Sequence, residues 1–385
     1  MQKLKNIEFL RVVGCLTIVL LHFFGRSAFG GFAKYNPFFK DLPFGCSYAA
    51  KAVDLFFILS GFFLVLTTDF SGNLWEFIKK KLIRFYPVTI FTLLGFFVMT
   101  RFCRLKFLYC ENFLTLCNIT GTPLSLSYGN LSGYWYISNM FWIFLFIFFC
   151  RKNFSKKSID LCIALLSFFS YAFIIQKQNG IINGNLNAYG IVNVGLMRGL
   201  GGIGIGYLIG EWYKSSAEKL HSLNLPVYVK LLLTIVEGYS IFFIISRMMF
   251  SKPEFRNEIV FIAVFVIIIL CFLLKQGYIS RLLDCDIWVK LSMYTFSIYL
   301  THFLVLAALF FFLWVPKNCR AFALAHPLSA VIISIAAALA FGVLTYHCVE
   351  RPAAKYLKRF LSPKPDAGKT EENRSAHSST DIGRQ

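Results

Sequence analysis

Arg11 and His22 lie in the first apolar run of the chain, and Asp54 lies in the second. In hydrocarbon each such group is costly enough to need a partner, a wet cavity or a task. Arg11 and His22 are eleven residues apart. On a helix that is about three turns, so their directions differ by only ~20° while ~16 Å separates them along the axis. One stripe therefore offers a guanidinium near one end and an imidazole near the other. A guanidinium holds phosphate or pyrophosphate in a fixed fork. An imidazole can take a proton from a hydroxyl as a general base. Asp54 falls within about 10 Å of the outer end of its segment, at a depth like that of His22. A carboxylate there would fix the imidazole tautomer and raise its basicity. Spacing alone leaves plainer alternatives open. Arg11 can snorkel to lipid phosphates, His22 can bond a neighbouring helix, and Asp54 can pair with Lys51 one turn earlier.

Other candidates lie further on. Lys81 and Arg84 stand in a basic stretch before an apolar run, as phosphate ligands or as a topology anchor. Trp135 and Tyr136 suit either an interfacial belt or a platform for a sugar ring. Arg198, near the outer end of a glycine-rich segment, is a candidate for lining an acceptor cavity, although such glycines also let helices approach closely. His302 shares a helical face with Tyr299 and Ser297, as a substrate contact or as a histidine bonded within the bundle. Glu350 and Arg351 read as a structural interfacial pair. His221, His326, His347 and His377 receive no role.

The elements that must position these residues are membrane spans. Hydrophobic residues make up 57% of the 385-residue chain and charged residues 15%, and the mean hydropathy is +0.64. A soluble domain has roughly 45–50% apolar and about 25% charged residues, so lipid must solvate part of this surplus. Runs of about 20 apolar residues occur at 8–25, 47–68, 86–103, 133–150, 159–175, 190–210, 228–247, 258–274, 290–314 and 328–348. The expectation is an all-α bundle of about ten transmembrane helices. Lysine and arginine cluster at Lys3 and Lys5, at 79–84, at 151–157 and at 351–359, which puts both termini in the cytoplasm. Residues 1–352 read as one membrane domain. Residues 353–385 read as a basic, largely disordered cytoplasmic tail, because the stretch from 363 lacks the apolar surface to fold.

The net charge of +20 sits in clusters beside apolar runs. That pattern points to lipid head groups rather than to nucleic acid. Of the eleven cysteines, Cys15, Cys103, Cys150, Cys162, Cys271 and Cys348 lie in apolar runs as small hydrophobes. Cys46, Cys110, Cys117 and Cys319 fall in or near outer loops. With no C-x-x-C pair, no metal site is expected. The first apolar run, carrying Arg11 and His22, reads as a retained helix and not a cleaved signal.

Six blocks in order carry a resemblance: Phe9-Leu10-Arg11 with Leu21-His22-Phe23; Asp54-Leu55-Phe56-Phe57 with Ser60-Gly61-Phe62; Lys81 through Pro87; Gly133-Tyr134-Trp135-Tyr136-Ile137-Ser138; Tyr294 through His302; and Val349-Glu350-Arg351-Pro352. From residue 8 to about 352 the chain resembles the acyltransferase-3 family of integral membrane enzymes. The resemblance implies transfer of an acyl group, often acetyl, from acetyl-CoA or another acyl-CoA to a hydroxyl of a cell-surface glycan, in a multi-pass protein of the cell (inner) membrane. Arg11 and His22 match the family's essential pair. Two departures stand out. Lys81 and Arg84 occupy a place where many members have an arginine pair, and Asn139 follows Ser138 where many carry a glutamate. On physics alone, a transporter or flippase for a glycan or lipid-linked sugar is the rival reading. It lacks the repeated halves common in such proteins.

Overall fold

A computed structural model describes residues 4–24, 48–102, 134–182, 188–189, 192–250, 257–309, 321–322 and 325–361. Helices dominate: α1 (Lys5–Phe24), α2 (Ala52–Thr67), α3 (Leu74–Phe102), α4 (Tyr134–Asn153), α5 (Lys156–Lys177), α6 (Val194–Ser222), α7 (Val227–Phe250), α8 (Ile259–Leu274), α9 (Tyr278–Leu282), α10 (Asp286–Ser292), α11 (Thr295–Leu309), α12 (Pro327–Thr345) and α13 (Arg351–Leu361). A two-residue antiparallel pair, β1 (Ala188–Tyr189) with β2 (Val192–Asn193), is the exception to the all-α class. Its last residue turns the chain into α6, where the Asn193 side chain accepts from the Leu196 amide at 3.0 Å. Such a cap satisfies a donor that the first turn leaves open.

Among the described residues seven helices are long and apolar enough to cross a membrane: α1, α2 with its preceding turn, α3, α4, α5, α7 and α12 running into α13. An eighth arises if α10 and α11, bent by 46°, count as one span. The expected run at 258–274 is the 16-residue α8, and the expected run at 190–210 is the glycine-rich α6. Two boundaries move. The third span begins at Leu74 rather than 86, since the helix continues through Pro87. Proline withholds one ladder N–H there without ending the helix. At the other end of the chain, α12 passes through a single π-turn, Tyr346–Glu350, into α13. Residues 353–361, assigned to the tail by sequence, are therefore helical. The π-turn stands where Pro352 lacks the N–H that would bond the Cys348 carbonyl. The loop cysteines Cys46, Cys110, Cys117 and Cys319, with Cys103 and residues 363–385, lie outside the described residues.

The site depends on how α1 is surrounded. It packs against α2, α10, α11 and α12, while α5 and α7 turn Phe168, Phe169, Ile235 and Phe242 outward. Helices α2 and α6 meet almost backbone to backbone. A Cβ on Gly61 would land on the Ile203 carbonyl, and one on Gly206 on the Ile58 carbonyl. Small residues serve this purpose where lipid supplies no hydrophobic drive between helices.

Candidate active site

A cavity of about 740 Å³ lies between α1, α2, α3, α4 and α11. One end is bordered by Asp69, Gly72 and Asn73, in the turn between α2 and α3, and the other by Phe56, Tyr136 and Tyr299. Arg11, Lys80, Lys81 and Arg84 line the wall between, with Glu8 and Glu76. Ser71 donates to Asp69 from its hydroxyl at 2.7 Å and its amide at 3.0 Å. Those two bonds hold the Asp69 carboxyl below the ordinary carboxylate range.

Three of the four cations in this wall, Arg11, Arg84 and Lys81, are anchored in different ways. Arg11 donates to Glu8 at 3.0 Å and covers the Phe63 ring at 5.1 Å. Arg84 donates to Glu350 at 2.6 Å and lies over Phe296. The second Glu350 oxygen accepts from Ser297 at 2.6 Å. Lys81 has no ion-pair partner among the described residues, and its ammonium sits 5.0 Å from the Phe77 centroid and 4.7 Å from that of Phe144. A cation held over a ring keeps its charge available to an incoming anion. A smaller cavity of about 210 Å³ shares Glu8, Arg11 and Arg84 with Ser292, Met293 and Tyr346.

The imidazoles lie beyond the inner end. The rings of His22 and His302 are 5.2 Å apart, and Phe303 packs 4.3 Å from each. His302 Nδ1 faces the Ile298 carbonyl at 3.2 Å. A carbonyl only accepts, so Nδ1 carries the hydrogen and Nε2 presents a lone pair. That Nε2, and Nδ1 of His22, are buried without a hydrogen-bond partner among the described residues. Neither histidine borders the cavity.

With this geometry in hand, a family model described as an acyltransferase domain matches residues 4–347. The chain belongs to the acyltransferase-3 family. Comparison with curated proteins and with solved structures finds no match. The chain is thus a multi-pass membrane acyltransferase.

In this acyltransferase Arg11, Lys81, Arg84 and Tyr299 come together around one cavity, and His22 and His302 come together behind it. Asp54, Arg198 and Trp135 do not join either group. Both Asp54 oxygens accept from Arg198, from Nε at 3.0 Å and Nη2 at 2.8 Å. The guanidinium lies 5.5 Å from the Trp135 centroid. Asp54 is thus engaged by Arg198 rather than by His22, and Arg198, expected at an acceptor cavity, and Trp135, expected as an interfacial aromatic or a sugar platform, do not line this cavity. All three are buried and engaged with one another. The Asp54–Lys51 alternative also fails, since Lys51 pairs with Glu258 and bonds the Ile182 carbonyl. Glu350 pairs with Arg84 instead of Arg351.

Sequence reasoning passed over Glu8, gave Ser60 no role, and tied neither Ser297 nor Arg84 to Glu350. The i,i+3 spacing of Glu8 and Arg11 was a usable signal. Nothing local pointed from Glu350 to Arg84.

Proposed function

We propose that this enzyme moves an acyl group, acetyl in the first instance, from an acyl-CoA in the cavity to a hydroxyl of a cell-surface glycan. The single observation that carries the reading is the axis of α1. Arg11 stands in the cavity wall, and His22 stands three turns along the same helix, beyond the cavity's inner end. Arg11, Lys81 and Arg84 hold the coenzyme A phosphates, so the pantetheine arm points toward the imidazoles. Two of the three are arginines, whose fork suits phosphate geometry.

In the reaction His22 takes the proton of the acceptor hydroxyl, and the oxygen attacks the thioester carbonyl. The tetrahedral intermediate collapses with cleavage of the carbon–sulfur bond. The coenzyme A thiolate leaves and takes up the proton held by His22. His302, with Nδ1 committed to the backbone, offers Nε2 as acceptor for a neighbouring hydroxyl of the glycan, which orients the acceptor while His22 takes the attacking proton. In this reading the protein crosses the inner membrane about ten times, with both termini in the cytoplasm. A cytoplasmic donor then serves an acceptor approaching from the opposite face. Asp54 has no part in the chemistry.

The test is release of free thiol from acetyl-CoA by the purified protein, with a panel of glycan acceptors. Wild type should release thiol with at least one acceptor, and His22→Ala should not. Absence of release by wild type across a broad panel overturns the proposal.

A further inference from the structure

Three rings from three helices line the cavity on its inner side. Phe56, Tyr136 and Tyr299 lie with centroids 6.4, 6.3 and 5.8 Å apart, each within contact range of the other two. Tyr136 is tied in place, its hydroxyl 2.8 Å from Ser60 Oγ and 3.2 Å from the Phe56 carbonyl. The Phe56 ring rests against α1 at Gly14, where an added Cβ would meet its Cζ at 3.4 Å. Immediately behind Tyr299 comes His302, at 6.0 Å between centroids. Phe303 fills the space beside both imidazoles, 4.3 Å from each.

These three rings make one aromatic layer in the cavity wall, and behind its Tyr299 lies His302, whose ring is 5.2 Å from that of His22. An acyl group must pass that layer to react. Once past it, the group meets Phe303, which leaves little width next to the histidines. We infer that the ring triad Phe56–Tyr136–Tyr299, backed by Phe303, selects the donor by acyl length, admitting acetyl and propionyl thioesters and rejecting longer unbranched chains. This inference rests on the acyl-CoA reading above and adds the residues that set the donor's size. The two layers have separate tasks. The triad limits passage of the arm and its acyl group, and Phe303 limits the space in which the carbonyl sits at the moment of attack. In a hydrophobic pocket one methylene changes kcat/KM by roughly 10- to 200-fold, so a sharp break with chain length is the expected signature.

The experiment measures kcat/KM by thiol release for acetyl-, propionyl-, butyryl- and hexanoyl-CoA, with wild type, Phe303→Ala and Tyr299→Leu. A ratio between two donors measured on one preparation cancels any loss of folded enzyme. Should Tyr299→Leu fail to fold, Phe303→Val supplies the second variant. Wild type should lose at least tenfold between propionyl- and butyryl-CoA. Phe303→Ala should raise the butyryl-to-acetyl ratio at least tenfold, while the affinity for coenzyme A itself, measured by equilibrium binding, stays within twofold. Equal use of hexanoyl- and acetyl-CoA by wild type overturns the selector, as does an unchanged donor ratio in both variants. Failure of wild type to use any acyl-CoA has a different signature. It rejects the donor assignment and the selector with it.

Discussion

Arg198 and Asp54 meet through a two-bond fork at 3.0 and 2.8 Å, both side chains wholly enclosed by the bundle. The pair ties α6 to α2, whose backbones meet further along at Gly61 and Gly206. Removing one member leaves a buried charge without its counter-ion, at a cost of about 3–5 kcal/mol. Asp54→Ala should therefore lower the unfolding temperature in detergent sharply, and Arg198→Leu alone should do the same. The double variant Asp54→Ala/Arg198→Leu should recover much of that loss, because no orphaned charge remains. If Asp54→Ala instead keeps its unfolding temperature and loses only turnover, the carboxylate belongs to the chemistry after all.

The depth of each polar group was legible in the sequence, because residue count along a helix fixes it. Its direction and its neighbour were not. Residue count puts Asp54 at a depth like that of His22, yet its partner comes from a helix 144 residues away. The glycines of α6 were readable as a close helix approach, and that approach is what carries Arg198 onto Asp54. The third apolar run starts at 86 because Lys79, Lys80, Lys81 and Arg84 break its apolar character, yet the helix runs through that basic stretch from Leu74. The Arg84–Glu350 pair, 266 residues apart, had no local trace. By contrast the Arg11–His22 stripe needs only helical periodicity, so it was visible from spacing alone.

The α2–α6 contact makes a prediction about glycine. At Gly206 an added Cβ would strike the Ile58 carbonyl, a backbone atom that cannot rotate away. Gly206→Ala should destabilise by ~1–3 kcal/mol, the usual cost of overpacking. Gly238, on α7, is the control. A Cβ there would meet only Ile279 Cδ1, at an ordinary 3.5 Å. Gly238→Ala should be neutral or gain up to about 1 kcal/mol from helix propensity. Equal effects at the two positions in thermal unfolding would contradict the packing described for α2 and α6.

Arg84 and Glu350 are unequally exposed, with side chains 45% and 3% accessible. That asymmetry sets the order of their variants. Glu350→Gln leaves a cation that can turn to water, a loss of order 1 kcal/mol for the hydrogen bond. Arg84→Ala leaves an enclosed carboxylate with only Ser297, at a cost nearer ~3 kcal/mol. Unfolding midpoints should rank wild type first, Glu350→Gln next and Arg84→Ala last. The double variant should be no worse than Arg84→Ala, since contacting partners are not additive. The reverse order would show that Glu350 is stabilised by groups other than Arg84.

Arg11 and His22 sit on one helix, and their kinetic signatures should separate. A charged hydrogen bond is worth about 1.5–3 kcal/mol. Arg11→Ala should accordingly raise KM for acetyl-CoA roughly tenfold to hundredfold, with a smaller change in kcat. Arg11→Lys should recover only part of that, because an ammonium keeps the charge and loses the fork. Glu8→Gln should lower KM by a few-fold at most, since it releases the guanidinium from its 3.0 Å partner. His22→Ala should behave in the opposite way. Loss of a general base costs roughly 10²- to 10⁴-fold in kcat, while coenzyme A still binds the cavity, which His22 does not line. Measuring thiol release for kcat and KM, beside equilibrium binding of coenzyme A, distinguishes the two. A His22→Ala protein that binds coenzyme A as poorly as Arg11→Ala would mean that the imidazole holds the donor, and the general base would then have to be sought elsewhere, first at His302.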